Sequence, residues 1–216
     1  MSEHIYIIAG EASGDFLGAQ LMKALKKQQP DIQFSGIGGE LMQREGLNSL
    51  FPMNDLSVMG VMEVLPKLGL LLKRISQTAE DIISLNPSKV ITIDAPDFSF
   101  RVLKKVRKQT DTPPQFIHYV APTVWAWRPK RAAKISKFLD GLICLFDFEP
   151  AYFEKEGLKS IAAGHPMMES GVLIASKLDI GNANTEKLGV FFGSRQGELK
   201  RISTVSRKSG SVISVT

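Results

Sequence analysis

The chain has 216 residues, 44% of them apolar and 8% aromatic, so it can bury a substantial core as one large or two small domains. Its one cysteine, Cys144, excludes a disulfide framework and a cysteine-based zinc site. The 27 basic and 22 acidic residues leave a net charge of +5, and no nucleic-acid-binding module is recognisable. We therefore expect a phosphorylated substrate or anionic lipid as partner, and no nucleic acid.

Short apolar runs alternate with helical patterns along the chain. Strands that are apolar throughout and separated by helices require a parallel sheet covered on both faces. This pattern predicts an α/β fold, a doubly wound Rossmann-like domain whose ligands lie at the carboxyl ends of the strands. The predicted strands are 5–9, 34–38, 90–94, 116–120, 141–146 and 160–164, and the predicted helices are 15–29, 39–46, 99–109, 128–138 and 149–156.

The first strand is followed by "GEASGD", which lacks the Gly-Lys-Ser/Thr ending of a P-loop. Gly10 and Gly14 allow a tight turn and a close backbone approach, and the next helix would present free N–H groups to an anion or a sugar hydroxyl. Ser13 and Asp15 are N-cap candidates for that helix. Glu11 either helps to cap the helix or points into the crevice, where it can accept hydrogen bonds from a polyol.

The segment 56–75, "LSVMGVMEVLPKLGLLLKRI", is unusually apolar for a helix of a soluble protein. One interpretation is a helix at a membrane surface, with Lys67, Lys73 and Arg74 meeting lipid phosphates. The other is a buried core helix. The N-terminus, "MSEHIYIIAGE", has no basic n-region, and its apolar run is too short for a signal peptide or a membrane span, so we expect a cytoplasmic protein.

Two carboxylates, Asp94 and Asp97, follow the third predicted strand in "VITIDAPDF". A carboxylate at the carboxyl end of a central strand is partly desolvated, which raises its pKa and suits it for taking a proton from an alcohol. In the alternative, Asp97 caps a helix from Ser99 and Asp94 bonds to neighbouring backbone. We favour a functional role for Asp94 and capping for Asp97.

The loop "HYVAPTVWAWRPKR" gathers aromatic and basic side chains around two prolines. Such residues suit a wall that stacks on sugar rings and pairs with phosphate, which makes Trp127 and Arg128 binding candidates. The alternative is that Trp125 and Trp127 are packing residues that shape the loop. His118 is expected to be a core histidine, and His165, at a strand end, is a weaker candidate for the crevice.

The chain is predicted to comprise an acceptor-side domain over 1–177, a linker over 178–186 and the start of a second α/β domain over 187–216. "KLGVFFGSRQGE" has the pattern of a strand and glycine turn, but "TVSRKSGSVISVT" continues neither helical nor strand periodicity. A strand without sheet neighbours exposes backbone and apolar side chains, so residues 187–216 are expected to be poorly ordered.

Six stretches, taken in this order, closely resemble the lipid A disaccharide synthase family, inverting glycosyltransferases with the GT-B fold. They are "AGEASGD", "SVMGVMEVLPKL", "IDAPDF", "HYVAPTVWAWRPKR", "GHPM" and "FFGSRQGE", and the resemblance runs from about Ile5 to about Ser203. It implies transfer of 2,3-diacylglucosamine from UDP to the 6-hydroxyl of 2,3-diacylglucosamine 1-phosphate. It also implies a peripheral protein on the cytoplasmic face of the inner membrane, attached through residues 56–75.

The resemblance assigns roles to particular residues. Asp94 matches the family's proposed base, and Glu11 matches an acidic residue important in the same cleft. Arg195 matches an arginine near the donor diphosphate, where N–H groups of the turn at Gly193 and Ser194 would add to the charge sink. No cofactor or metal is implied.

After "GSRQGE", members of the family continue into a complete nucleotide-sugar-binding domain. The residues "TVSRKSGSVISVT" of this sequence do not resemble that domain. Activity is therefore expected to be impaired, and the alternative is a non-catalytic remnant that binds membrane or acylated sugar phosphate. A UDP-N-acetylglucosamine epimerase of similar fold is a third hypothesis, but it would not need a lipid-facing surface. Whether the chain forms homo-oligomers is left open.

Overall fold

The structure is a computed structural model that describes residues 3–56, 61–127 and 130–165, apart from the side chains of residues 61–67 and 127. All of these residues belong to one compact unit, Met1–Leu173. The predictions for the linker at 178–186 and for residues 187–216 lie outside the described part.

Seven parallel strands form one sheet in the order β3-β2-β1-β4-β5-β6-β7. This order, with the chain moving outward in both directions from β1 and β4, confirms the doubly wound Rossmann-like fold. β3 was not predicted, because two residues are too short to show periodicity. The strands are β1 (His4–Ala9), β2 (Gln33–Ile37), β3 (Asn48–Ser49), β4 (Lys89–Ile93), β5 (Gln115–Tyr119), β6 (Gly141–Cys144) and β7 (Ser160–Ala162).

Helices connect the strands, and their bounds differ in places from those predicted. α1 begins three residues earlier than expected, at Ala12, and the helix predicted over 128–138 is shorter, at Lys130–Ile135, with a further short helix before it at Val124–Trp127. The helices are α1 (Ala12–Gln28), α2 (Glu40–Arg44), α3 (Val61–Leu85), α4 (Pro96–Gln109), α5 (Val124–Trp127), α6 (Lys130–Ile135) and α7 (Pro150–Glu154), with a 3₁₀ turn at Met53–Asp55.

The core lies on both faces of the sheet, as a parallel sheet requires. Alternate residues of β1 point to opposite faces, so Tyr6 and Ile8 belong to one apolar cluster and Ile7 and Ala9 to the other. The first cluster packs against α3, α4, α6 and α7, and the second against α1 and α2.

α3 has a buried half and an exposed half. Ile75, Ala79 and Ile82 are in the core, whereas Leu68 and Leu72 are 44% and 49% exposed. Because α3 leads back into the amino end of β4, its 25 residues, about 37 Å long at 1.5 Å per residue, extend well beyond the carboxyl end of that strand. The buried-helix alternative is therefore wrong for residues 68–72.

The membrane-surface interpretation expected Arg74 to meet lipid phosphates, but its guanidinium is engaged within the domain. Its guanidinium pairs with the Asp55 carboxylate at 2.6 Å, donates to the Gln77 side chain and lies 4.4 Å from the centre of the Phe51 ring. Arg74 thus fastens α3 to the body of the domain, and Lys73 remains exposed. Within the described ranges, no helix combines the length and apolar content needed to cross a membrane.

Candidate functional site

The order of the strands reverses between β1 and β4, which are direct neighbours in the sheet. Chains leaving these two strands turn in opposite directions, and this opens a crevice at their carboxyl ends where Rossmann-like domains bind ligands. Glu11 follows β1, and Asp94 follows β4. The two acids favoured from the sequence therefore lie on the two turns that border this crevice.

These two turns approach each other closely. A Cβ atom added to Gly10 would lie 2.9 Å from the Cβ of Ala95, nearer than carbon atoms normally come. Gly14 is buried in the first turn of α1, where an added Cβ would lie 3.4 Å from the Ile93 carbonyl oxygen. The glycines of "GEASGD" thus let the first turn and helix pack directly on the end of β4.

The turn after β4 has an unusual backbone. Asp94 and Ala95 adopt left-handed conformations with φ of 51° and 41°. Each such residue other than glycine costs of the order of 1 kcal/mol or more, and strained residues of this kind cluster at functional sites. The Asp94 N–H donates to the Tyr119 carbonyl at 3.0 Å, which continues the pairing of β4 with β5 one residue beyond the strand. Asp94 itself is half-buried.

The neighbouring turn after β5 is strained as well. Val120 has a φ of 78°, which is rare for a β-branched residue, while its N–H donates to the Ile143 carbonyl at 2.9 Å. Two adjacent strands therefore end in left-handed residues that the sheet holds in place. Sequence reasoning missed this feature, since Pro96 indicates only that Ala95 avoids the right-handed helical conformation and does not predict a positive φ.

The first turn of α1 differs from the capping arrangement predicted. The helix begins after Glu11, whose backbone carbonyl accepts the Asp15 N–H at 2.9 Å and whose side chain makes no capping hydrogen bond. Ser13 lies within the first turn and is exposed, so neither Ser13 nor Asp15 is the N-cap of this helix.

Asp15 caps a different helix. Asp15 is 5% exposed, and its carboxylate accepts the backbone N–H groups of Gly39, Leu41 and Met42 at 2.9, 3.0 and 3.0 Å, at the start of α2. A side chain on Gly39 would collide with this carboxylate, because an added Cβ would lie 2.5 Å from Asp15 Oδ2. Asp15 therefore has a structural role, as expected, but it joins α1 to the start of α2 instead of capping its own helix.

Asp97 lies in the first turn of α4, which begins at Pro96 rather than at Ser99. It is exposed, and Ala95 is the N-cap residue, so the prediction that Asp97 caps the helix is wrong. Asp97 nevertheless lies near the carboxyl edge of the sheet, because it comes directly after the turn at Asp94. The side chain of Trp127 and the whole of Arg128 lie outside the described residues.

His118 is a core residue, as predicted. It is fully buried, its Nδ1 lies 2.7 Å from the Thr92 hydroxyl, and its ring packs edge-on against Phe100. Burial, with the nearby charge of Arg131, lowers the pKa of His118 to about 3, so the ring is neutral at physiological pH. Its Nε2 has no hydrogen-bond partner among the described residues.

The structure thus brings Gly10, Glu11, Gly14 and Asp94 to one edge of the sheet. His165, which follows β7, is half-buried at the same edge. Gly193, Ser194 and Arg195 lie outside the described residues. Among the described residues, no group of three or more His, Cys, Asp or Glu side chains could hold a metal ion.

A parallel sheet in this order, with two close turns at its switch point, defines a Rossmann-like ligand-binding domain. Its fold is similar to that of a solved structure, the S. aureus MnaA-UDP co-structure, with a TM-score of 0.56 and 12% identity over 85% of this chain and 49% of that chain. The Lipid-A-disaccharide synthetase family matches residues 5–210, and the chain belongs to that family.

Relatives in this family are similar along most of the chain. The Lipid-A-disaccharide synthase of Rhodospirillum centenum is 52% identical over 77% of this chain and 42% of its own length. The enzymes of the same name from Ruegeria pomeroyi and Gluconobacter oxydans are 45% and 41% identical over 93% and 98% of this chain, and 51% of their own lengths in each case. The chain spans about half the length of the curated relatives it matches.

Proposed function

We propose that this chain forms the acceptor side of a lipid A disaccharide synthase. The reaction transfers 2,3-diacylglucosamine from UDP to 2,3-diacylglucosamine 1-phosphate. The observation that carries this proposal is the position of Glu11 and Asp94, on two closely packed turns at the switch point of a domain from this family.

Asp94 is the general base on this proposal. Its carboxylate takes the proton of the acceptor 6-hydroxyl while that oxygen forms a bond to the anomeric carbon of the donor sugar. The bond from that carbon to the diphosphate oxygen breaks, UDP leaves and the anomeric configuration inverts. The left-handed turn at Asp94 and Ala95, held by the backbone hydrogen bond from Asp94 to Tyr119, would keep the backbone that carries the carboxylate in one place.

Glu11 is proposed to hold acceptor hydroxyls across the crevice from Asp94. The N–H groups of Ser13 and Gly14, in the first turn of α1, suit the acceptor phosphate or a hydroxyl, because they have no partners within the helix. Arg195, with the turn at Gly193 and Ser194, is proposed to stabilise the charge of the departing diphosphate. Asp97, Trp127 and Arg128 remain candidates for the wall of the acceptor site.

The exposed half of α3 is proposed to bind the membrane surface from which an acylated acceptor must come. Leu68, Leu70 and Leu72 are exposed at and beyond the carboxyl end of β4, on the same edge of the sheet as Asp94. Lys73 is exposed beside them and suits an anionic head group. This arrangement would place the protein at the cytoplasmic face of the inner membrane, with the acceptor site close to the lipid.

A second candidate function is acceptor binding without transfer. The observation that favours it is that the crevice in the described residues is bordered by Glu11 and Asp94, both of which this proposal places on the acceptor side. Both candidates predict that acylated glucosamine 1-phosphate binds near Asp94, and they differ in whether UDP is released.

The test is UDP release by the purified chain with both acylated sugars in detergent. Asp94→Asn, which keeps the shape of the side chain and removes the base, should lower the rate by about 10²–10⁴-fold. Asp111→Asn is the matched control, since Asp111 is exposed in the loop that leads to the amino end of β5.

If neither wild type nor control releases UDP but both bind the acceptor, the second candidate is correct. If wild type and Asp94→Asn release UDP at equal rates, Asp94 is not the base. A wild type that neither binds the acceptor nor releases UDP contradicts both candidates.

A further inference from the structure

A buried polar pair joins β4 to β5 just before the two left-handed turns. Thr92 of β4 and His118 of β5 are register partners, both are fully buried, and the Thr92 hydroxyl oxygen lies 2.7 Å from His118 Nδ1. Asp94 follows Thr92 by two residues, and Val120 follows His118 by two residues. We call Thr92 and His118 the strand-end pair. It connects the two strands one step before each of them enters its strained turn.

His118 contacts both elements that flank the turn after β4. Through Nδ1 it meets Thr92, in the strand that leads into the turn. Its ring packs edge-on against Phe100 of α4 with ring centroids 4.7 Å apart, and α4 begins at Pro96, directly after the turn. A displacement of either flanking element would therefore have to move a fully buried ring, which close packing resists.

The turn after β4 also depends on the end of β5 for a backbone hydrogen bond. The Asp94 N–H donates to the carbonyl of Tyr119, the residue next to His118. A sideways shift of the end of β4 relative to β5 would lengthen this bond and turn the residue that carries the carboxylate. Because residues with a strained positive φ persist only where the surrounding structure over-determines them, this turn requires that the two strand ends be fixed.

Stability alone does not account for the polar character of the strand-end pair. His118 Nε2 is buried and has no hydrogen-bond partner among the described residues. A buried polar atom without a partner lowers stability, and an apolar pair of the same shape is often equally stable or more stable. A hydrogen bond is directional, however, so it fixes the relative position of two strands more closely than apolar contact does. The pair therefore suits the fixing of geometry better than the raising of stability.

We propose that the strand-end pair is a positioning pair, which holds the turn after β4 in the geometry that the Asp94 carboxylate needs to face the acceptor hydroxyl. This inference rests on the proposed function, because it assumes that Asp94 is the base. Thr92 and His118 do not touch the substrate, since both are fully buried. Their effect reaches the reaction through the backbone of residues 93–95.

The test compares variants that separate the hydrogen bond from the stability of the core. Thr92→Val with His118→Leu replaces the pair by apolar side chains of similar shape. This double variant should keep or raise the urea midpoint, while kcat for UDP release falls by about 10–10²-fold at a nearly unchanged acceptor KM. Thr92→Ser keeps the hydroxyl and removes a buried methyl group, so it should lower the midpoint and retain kcat.

Val90→Ala is the matched control, because Val90 is fully buried on the same face of β4, two residues further from the turn. It should lower the urea midpoint and leave kcat unchanged. If the double variant does not fold, Thr92→Val alone is compared with Thr92→Ser. Both single changes should lower the midpoint, but only Thr92→Val, which removes the hydroxyl, should lower kcat.

Hydrogen exchange of backbone amides reports on the turn without any sugar transfer. In the double variant the Asp94 amide, which donates to Tyr119, should exchange about tenfold faster than in the wild type, while the amides of β1 and β2 keep their protection. A general loss of stability would instead speed exchange throughout the sheet.

Three results would overturn the inference. In the first, the double variant has the kcat of the wild type. In the second, the Asp94 amide is equally protected in both proteins. In the third, Val90→Ala lowers kcat as much as loss of the pair does, which makes the effect one of stability. If the wild type releases no UDP, the proposed transfer fails, and the exchange of the Asp94 amide alone decides whether the pair holds the turn.

Discussion

The close approach of the turns after β1 and β4 allows the candidate site to be perturbed without touching either acid. In Gly10→Ala the new Cβ would lie 2.9 Å from the Ala95 Cβ, whereas ordinary contacts are 3.4–4 Å, so the two turns must separate by at least about half an ångström. Overpacking of this kind costs about 1–3 kcal/mol of the free energy of unfolding. Displacement of a catalytic group by up to 1 Å lowers the rate by up to about 10²-fold.

The assay is a double-mutant cycle that uses Ala95→Gly. This change removes the Cβ that the new methyl group would meet, and glycine adopts the left-handed conformation of residue 95 without strain. We expect Gly10→Ala to lower both the free energy of unfolding in urea and the rate of UDP release, or acceptor affinity if no UDP is released. The double variant should recover most of both losses.

Gly141→Ala is the matched control, because its added Cβ would meet Ile117 at 3.7 Å, an ordinary contact. Additive effects of Gly10→Ala and Ala95→Gly would show that the two turns do not press on each other and would refute the reasoning. So would a loss of stability with no change in activity, since the turns could then separate without moving Glu11 or Asp94.

Three further predictions follow from the described contacts. Asp15→Ala should lower the free energy of unfolding by about 2–4 kcal/mol, because three backbone donors of α2 lose their acceptor; a change below about 0.5 kcal/mol in urea denaturation would contradict this role. The folded-state pKa of His118, about 3, is below its ordinary value of 6.5, so the unfolded chain takes up a proton at a higher pH than the folded one. The contribution of His118 to the free energy of unfolding is therefore complete above pH 6.5 and falls by about 1.4 kcal/mol per pH unit from there towards pH 3. His118→Asn should flatten the dependence of unfolding free energy on pH between 4 and 6.5, and equal slopes in both proteins would disprove the assignment. Leu68→Ser with Leu72→Ser should reduce vesicle affinity about tenfold or more at an unchanged urea midpoint, whereas a shifted midpoint would mean that these leucines pack in the fold.

The strand pattern predicted most of the fold because a buried parallel strand has a strong local signature. β1 contains five consecutive apolar residues, β4 and β5 are mostly apolar, and the glycines and prolines after them mark where they end. Helix starts were less accurate. α1 begins at Ala12 without a side-chain cap, so the polar residues Ser13 and Asp15 misplaced its start.

The sequence by itself determined the family, the Rossmann-like fold, and the two acids that follow β1 and β4, because these depend on residue types and on strand ends. Only the tertiary structure decided that Asp15 caps α2, that Arg74 pairs with Asp55, and that Leu68 and Leu72 are exposed. It also showed the closeness of Gly10 to Ala95 and the left-handed turns at Asp94 and Val120. The physical reason is that these features join residues distant in sequence, and local periodicity contains no information about which helix or turn a side chain will meet.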